Sequence, residues 1–525
     1  MTLALLWPKL TETIDGDTYK NMSHEKTSVS RDEARCPSGI DGLDTILGGG
    51  LPSNCFYLVQ GDPGSGKTTL ALQFLLEGVR RGESVFYITL SETKAELLKV
   101  ARSHDWSLDS IPLLELSAIE SLLRPEARTT VFHPSEVELS KITSLMVEHI
   151  EKLRPTRVVF DSLSEFRLIA ETPLRYRRQL LSLKQEFTKY GSTVLLLDDK
   201  MGSAGVMGDP HVLSLTHGVI EMEQLSPDYG RARRRMRVAK MRGVHYSEGY
   251  HDYTIVKGGL QIFPRLIAGE HHVPFHSEPV SSGIAGLDQL LGGGMDRGTT
   301  TLILGPAGTG KSTIAVQYGV TMAGNGEAAA IFTFDETLEI LTTRAQSLGL
   351  PFRQLLESGK LQARQIDPAE ISPGEFVWSV RQCVEAGCKL IVIDSLNGYL
   401  NAMPGEKYLT NQLHELTTFL NQQGVVTILI MAQHGSVSAL EAPADLSYLC
   451  DTVINMRYFE NAGEVRQSIA VIKKRSGNHE RSIREFMIGR DGKGVRIGDS
   501  LRDFQGILTG IPQFQGKTDK MLTTE

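Results

Sequence analysis

Short apolar runs bounded by glycine or charge recur along the chain: FYLVQ (56–60), SVFYITL (84–90), TRVVFDS (156–162) and STVLLLD (192–198). TTTLILG, AAAIFTF, KLIVIDS and VVTILIM follow in the second half. A strand wetted on one face alternates apolar and polar residues; these runs do not, which predicts parallel strands covered on both faces. Between them the polar content rises and helical spacing takes over. The clearest case is 67–81, where Leu70, Leu72, Phe74, Leu75 and Leu76 can supply a buried side. Strand–helix alternation of this kind predicts an α/β fold in two tandem domains, each a mostly parallel sheet with helices on both faces.

The runs come in two sets because the chain repeats itself. SGIDGLDTILGGGLPSNCFYLVQGDPGSGKTTLALQF (38–74) matches SGIAGLDQLLGGGMDRGTTTLILGPAGTGKSTIAVQY (282–318). Lys67 and Lys311 are 311 − 67 = 244 positions apart, and so are Glu92 and Glu336 (336 − 92 = 244). Asp161 and Asp394 are 394 − 161 = 233 apart, as are Arg242 and Arg475, so the second copy is 11 residues shorter between its second and third strands. A solenoid repeat is about 20–50 residues; a unit of this size is a duplicated domain. The expected division is a first domain over 31–265, a joint at LIAGEHHVPFH (266–276) and a second domain over 277–515. Residues 1–30 are polar and aperiodic and predict a flexible arm; 516–525 form a short tail.

Bulk composition narrows the function. A net charge of −7 gives no general attraction to nucleic acid, although RARRRMR (231–237) is a local basic run. Five cysteines in 525 residues make no disulfide framework and predict reduced thiols in a cytoplasmic protein. No apolar run reaches the roughly 18 residues that a membrane span needs.

The repeated segment carries the chemistry. GDPGSGKTT (61–69) and GPAGTGKST (305–313) both fit G-x-x-x-x-G-K-[ST]. Glycines let backbone N–H groups face phosphates, and the helix that follows presents its positive end. The predicted ATP contacts are Gly61, Gly64, Ser65, Gly66, Lys67, Thr68 and Thr69 in one copy. In the other they are Gly305, Gly308, Thr309, Gly310, Lys311, Ser312 and Thr313. The two lysines are expected to reach the β- and γ-phosphates, and Thr68 and Ser312 to ligate Mg²⁺. Asp161 and Asp394 end apolar strands, where an aspartate can hold the same Mg²⁺ through water. Hydrolysis also needs a group that orients or deprotonates water. Glu92 and Glu336 lie just beyond the second strand of each copy, at the carboxyl edge where such sheets bind ligands. Asp335 adds a second carboxylate in one copy; Ser91 stands in that place in the other.

SGIxGLDxxLGGG, a P-loop, ET after the second strand, hhhDS, and KMRG or KKRSG together resemble the KaiC family of the RecA superfamily, over about residues 31–515. HERSIREFMI (479–488) and DSLRDFQGILTGIPQF (499–514) sharpen the resemblance. It implies a double-ring homohexamer with ATP between subunits, slow hydrolysis in the first ring and Ser/Thr autokinase activity in the second. It implies that Lys240 and Arg242, and Lys473 and Arg475, reach the neighbouring subunit's γ-phosphate. It matches Asp335 to the base for the phosphoacceptor and Ser447 to the acceptor serine, with Tyr448 where the family has threonine. A KaiB-like partner on the first ring is compatible with the match. The short GKTDKMLTTE ending argues against a KaiA-type activator. An ATP-driven assembly switch without kinase activity, and a RecA/RadA-type DNA-repair ATPase, are the competing readings.

Overall fold

The structure, a computed structural model, describes residues 34–116, 134–200, 210–227, 229–401, 409–433, 447–461, 463–489, 494–508 and 513–514. The expected arm and tail lie outside the described residues.

Each half contains one nine-stranded sheet. In the first, β1 (Phe56–Gly61), β2 (Val85–Thr89), β3 (Leu113–Glu115), β4 (Arg157–Asp161), β5 (Thr193–Asp199), β6 (Gly218–Leu225), β7 (Arg233–Met241), β8 (His251–Val256) and β9 (Gly259–Phe263) are ordered β9-β8-β7-β6-β1-β5-β4-β2-β3. The second contains β10 (Thr300–Gly305), β11 (Ala329–Thr333), β12 (Leu361–Gln365), β13 (Leu390–Asp394), β14 (Val426–Ala432), β15 (Thr452–Asn461), β16 (Glu464–Lys474), β17 (Arg484–Ile488) and β18 (Val495–Ser500). Its order, β18-β17-β16-β15-β10-β14-β13-β11-β12, is that of the first sheet. β1 runs parallel to both β5 and β6, and β10 parallel to both β14 and β15.

The apolar runs have a simple cause. Side chains alternate across a strand, and both faces are covered. Tyr57 and Val59 enter a core with Leu70 and Phe74 of α1 (Lys67–Arg80). Phe56 and Leu58 enter a separate core with Leu183 and Phe187 of a helix over Pro173–Lys189. The second sheet is sandwiched in the same way, with Ile303 in one core and Leu302 in the other.

One end of each sheet departs from the run pattern: the four strands β6 to β9, and the four strands β15 to β18, pair antiparallel with one another. On β7 the residues Met236 and Val238 are buried while the neighbouring arginines are half-buried, so this strand alternates as a one-sided strand does. Four of the five arginines in the basic run 231–237 are thereby engaged within the chain. Arg235 pairs with Glu223 at 2.9 Å, Arg237 with Glu221 at 2.6 Å, and Arg231 donates to Thr254.

The halves touch through this extension. Arg233 donates to the carbonyls of Ile371 and Pro368, and Asp252 on β8 accepts from Gly374 N at 2.7 Å. Gly374 lies in the first turn of a helix over Pro373–Glu385. The joint also packs: Leu266 and Ala268 are buried in a core of the second half, and Ala268 N donates to Glu415 at 3.2 Å.

Candidate nucleotide sites

β1 ends at Gly61, and α1 begins at Lys67 after a left-handed Gly66 with φ 96°. The left-handed backbone favours glycine here, and a Cβ at Gly66 would lie 2.8 Å from Ile255 Cδ1, so the tip of that side chain would have to shift. β10, Gly310 (φ 99°) and α2 (Lys311–Gly324) repeat the turn. Lys67 Nζ donates to the carbonyls of Gly61 (2.9 Å) and Asp62 (3.1 Å), and Lys311 Nζ to that of Pro306 (2.6 Å). Both ammonium groups thus curl into their own loops. Burial pushes the Lys311 pKa down.

The predicted carboxylates converge on these loops. Glu92 Oε1 accepts from Thr68 Oγ1 at 3.4 Å, while its other oxygen is buried without a hydrogen-bond partner. Burial, then Asp161 and Glu96, raise the Glu92 pKa to about 7. Asp161 is held by Tyr87 Oη at 2.7 Å and by Ser91 Oγ at 3.4 Å, and burial raises its pKa too. In the second copy Asp394 is likewise raised by burial, with Ser312 hydrogen-bonded to it. Thr89 and Glu92 exchange hydrogen bonds at 2.8 and 3.0 Å; Thr333 and Glu336 repeat the exchange at 3.0 and 3.2 Å. Asp335 accepts from Ser395 Oγ at 2.5 Å.

A hydroxyl, a lysine and two carboxylates around a glycine cradle suit a phosphate chain with its divalent cation. The orphaned oxygen Glu92 Oε2 and the buried, unpartnered Ser65 Oγ are polar atoms that such a guest or its waters would satisfy.

The four predicted cations do not join their own loops. Lys240 pairs with Val219 on β6, which faces Leu58; the P-loop begins beyond Gly61, three residues or about 10 Å further along β1. Lys240 Nζ donates to the carbonyls of Leu213 (2.5 Å) and Thr216 (2.7 Å), and Arg242 is exposed beside it. Burial, Arg242 and Lys184 push the Lys240 pKa down. The second copy is built alike. Lys473 Nζ donates to the carbonyls of Ser447 and Cys450, both at 2.8 Å, and Arg475 to that of Tyr448 at 3.0 Å. Ser447 opens a short 3₁₀ turn, Ser447–Leu449, at this edge.

A KaiC ATPase family model matches residues 36–267 and again 280–502. The chain belongs to the KaiC ATPase family. Among its relatives, circadian clock protein KaiC3 of Synechocystis sp. is 28% identical over 92% of this chain and 95% of the relative. The circadian clock oscillator protein KaiC of Thermostichus vulcanus is 28% identical, covering 94% of each chain. That of Synechococcus elongatus is 27% identical over 91% of this chain and 92% of the relative. The duplicated ATPase architecture read from the repeat is therefore the family's own, and the family binds ATP.

Sequence reasoning missed several groups at these sites. Asp199 forms a 2.9 Å ion pair with Lys67; its only signal was the DD that ends an apolar run, and Ala432 holds the matching register position in the second copy. Tyr253 donates to the carbonyl of Ser65, within the first P-loop. Arg344 pairs with Glu336 at 2.7 Å. Tyr253 lies far from its partner in sequence, and no local spacing announces it.

Proposed function

We propose that this chain assembles into a homohexamer in which Mg-ATP lies between neighbouring subunits, the first domain hydrolyses ATP, and the second transfers a γ-phosphate to Ser447. The observation that carries the proposal is the division of each pocket between opposite sheet edges. Loop, hydroxyl and carboxylates stand at the carboxyl edge; Lys240 and Arg242, or Lys473 and Arg475, stand at the other. One protomer's cations complete the neighbour's pocket. Thr68 with Asp161, and Ser312 with Asp394, would hold Mg²⁺, which when bound offsets charge on the β- and γ-phosphate oxygens.

In the first pocket Glu92 accepts a proton from water as the water oxygen attacks the γ-phosphorus and the bond to ADP breaks. In the second, Ser447 Oγ attacks in place of water, and Asp335 takes the hydroxyl proton. Arg242 and Arg475 oppose charge that develops on the transferring group. Lys473, by holding the Ser447 carbonyl, fixes the acceptor turn. The relatives' printed names favour a role in timekeeping or allied signalling, with a KaiB-like partner at the first ring.

Native mass spectrometry with and without Mg-ATP, joined to phosphopeptide mapping, tests this reading. Six subunits, two nucleotides per chain and a phosphate on Ser447 that Ser447→Ala removes support it. A monomer that retains no nucleotide overturns it. Exposed Tyr448 beside Ser447 favours one second reading, an ATP-driven assembly switch; hexamers without any phosphate identify that. The DNA-repair reading is disfavoured by the acidic balance and by the paired arginines of β7.

A further inference from the structure

The two pockets share loop, aspartate and glutamate, and among their differences one, on the helix that follows the glutamate, bears directly on that carboxylate. That helix spans Lys94–Ser103 in the first copy and Leu338–Ser347 in the second, with Thr93 and Thr337 as its caps. At the same step along it the first copy has Val100, packed against an apolar core, and the second has Arg344 (344 − 100 = 244). Helical side chains lean toward the helix N-terminus. Arg344 therefore reaches back over its cap, and its Nη2 lies 2.7 Å from Glu336 Oε2. Glu92 has no ion pair among the described residues; it meets only the Thr68 hydroxyl, and its second oxygen is bare.

We propose that Arg344 is a positioning residue that withholds Glu336 from water, suppressing hydrolysis in the second pocket and so reserving its ATP for transfer to a protein hydroxyl. The inference rests on the functional reading above. A carboxylate oxygen engaged by a guanidinium is a poor proton acceptor and is turned away from the reacting water. Hydrolysis needs the water oxygen to bond to the γ-phosphorus, the β–γ bridging bond to break, and the water proton to pass to Glu336. Arg344 obstructs the last of these. Asp335, held by Ser395 rather than by the arginine, remains available to an attacking hydroxyl.

The experiment uses the full chain with Mg-ATP and its first pocket silenced by Glu92→Gln. Adding Arg344→Val is expected to raise the remaining hydrolysis about tenfold in kcat with little change in KM. Arg344→Lys, which keeps a cation, is expected to leave it low. Adding Glu336→Gln to the valine variant is expected to abolish the gain. The reciprocal Val100→Arg, in an otherwise native chain, is expected to slow first-pocket hydrolysis about tenfold while ATP still binds. No gain from Arg344→Val, or from Arg344→Gln should the valine variant misfold, overturns the inference while leaving the pocket assignments standing. A gain that survives Glu336→Gln overturns it too, because the arginine then acts elsewhere. Hydrolysis untouched by Glu92→Gln but lost with Glu336→Gln alone sinks the functional reading and this inference together.

Discussion

Tyr253 Oη donates a 2.5 Å hydrogen bond to the carbonyl oxygen of Ser65, tying β8 to the floor of the first P-loop. The phenol is buried, and that burial raises its pKa, so it remains a donor throughout the physiological range. The next residue back, Asp252, holds the start of the Pro373–Glu385 helix in the second half. Neighbouring side chains on a strand point to opposite faces, so β8 grips one pocket with one face and the other domain with the other.

Tyr253→Phe is expected to weaken ATP binding at the first pocket about five-fold, the loss of one net hydrogen bond of about 1 kcal/mol. Titration with a fluorescent ATP analogue reads it. An unchanged dissociation constant shows that the loop holds its shape without the phenol.

Gly66→Ala and Gly310→Ala are each expected to empty one pocket. Both positions have φ near 100°, and the added carbon would lie 2.8 Å from Ile255 or 2.5 Å from Phe486. The left-handed backbone alone costs about 1–2 kcal/mol. Native mass spectrometry is expected to find one nucleotide per chain in each variant and two in the parent. Full occupancy in either variant contradicts the cradle geometry.

Glu77 on α1 predicts a pH signature. Arg80 and Arg81 hold its carboxylate at 2.7 and 2.5 Å and lower its pKa to about 2. A depressed carboxylate adds stability that is complete above its unfolded pKa, about 4.3, and lost as pH falls toward the folded value. Both arginines are solvent-exposed, so screening limits the contribution to about 1 kcal/mol. Glu77→Gln is expected to lower the midpoint of chemical denaturation at pH 7, with the gap closing between pH 4 and 2. A gap independent of pH assigns the loss to packing instead.

The sequence disclosed whatever repeats or stays local. β1, β2, β4 and β5 fall within a residue or two of the apolar runs, and α1 starts at the predicted Lys67. Thr68, Glu92 and Asp161 meet because three strand ends share one sheet edge, which the order of motifs implied. The antiparallel extension was less legible because its strands are wet on one side and their charges resemble those of loops. Arg233 illustrates the limit. Read as part of a basic run, it could serve any anion; its partners, the carbonyls of Ile371 and Pro368, lie more than a hundred residues away. Arg344 was hidden differently, since an arginine on an ordinary exposed helix gives no sign that it bends back across a cap.

The placement of Lys240 about 10 Å along the strands from Gly61 has a genetic consequence. In the proposed assembly donor and acceptor edges differ, so contact between copies would run head to tail, and closure would yield a ring rather than a two-fold pair. A chain with Lys67→Ala still offers sound cations, and a chain with Arg242→Ala still offers a sound loop. Co-expressed, the two defective alleles are expected to restore first-pocket hydrolysis that neither supplies alone, wherever the second's loop meets the first's cations.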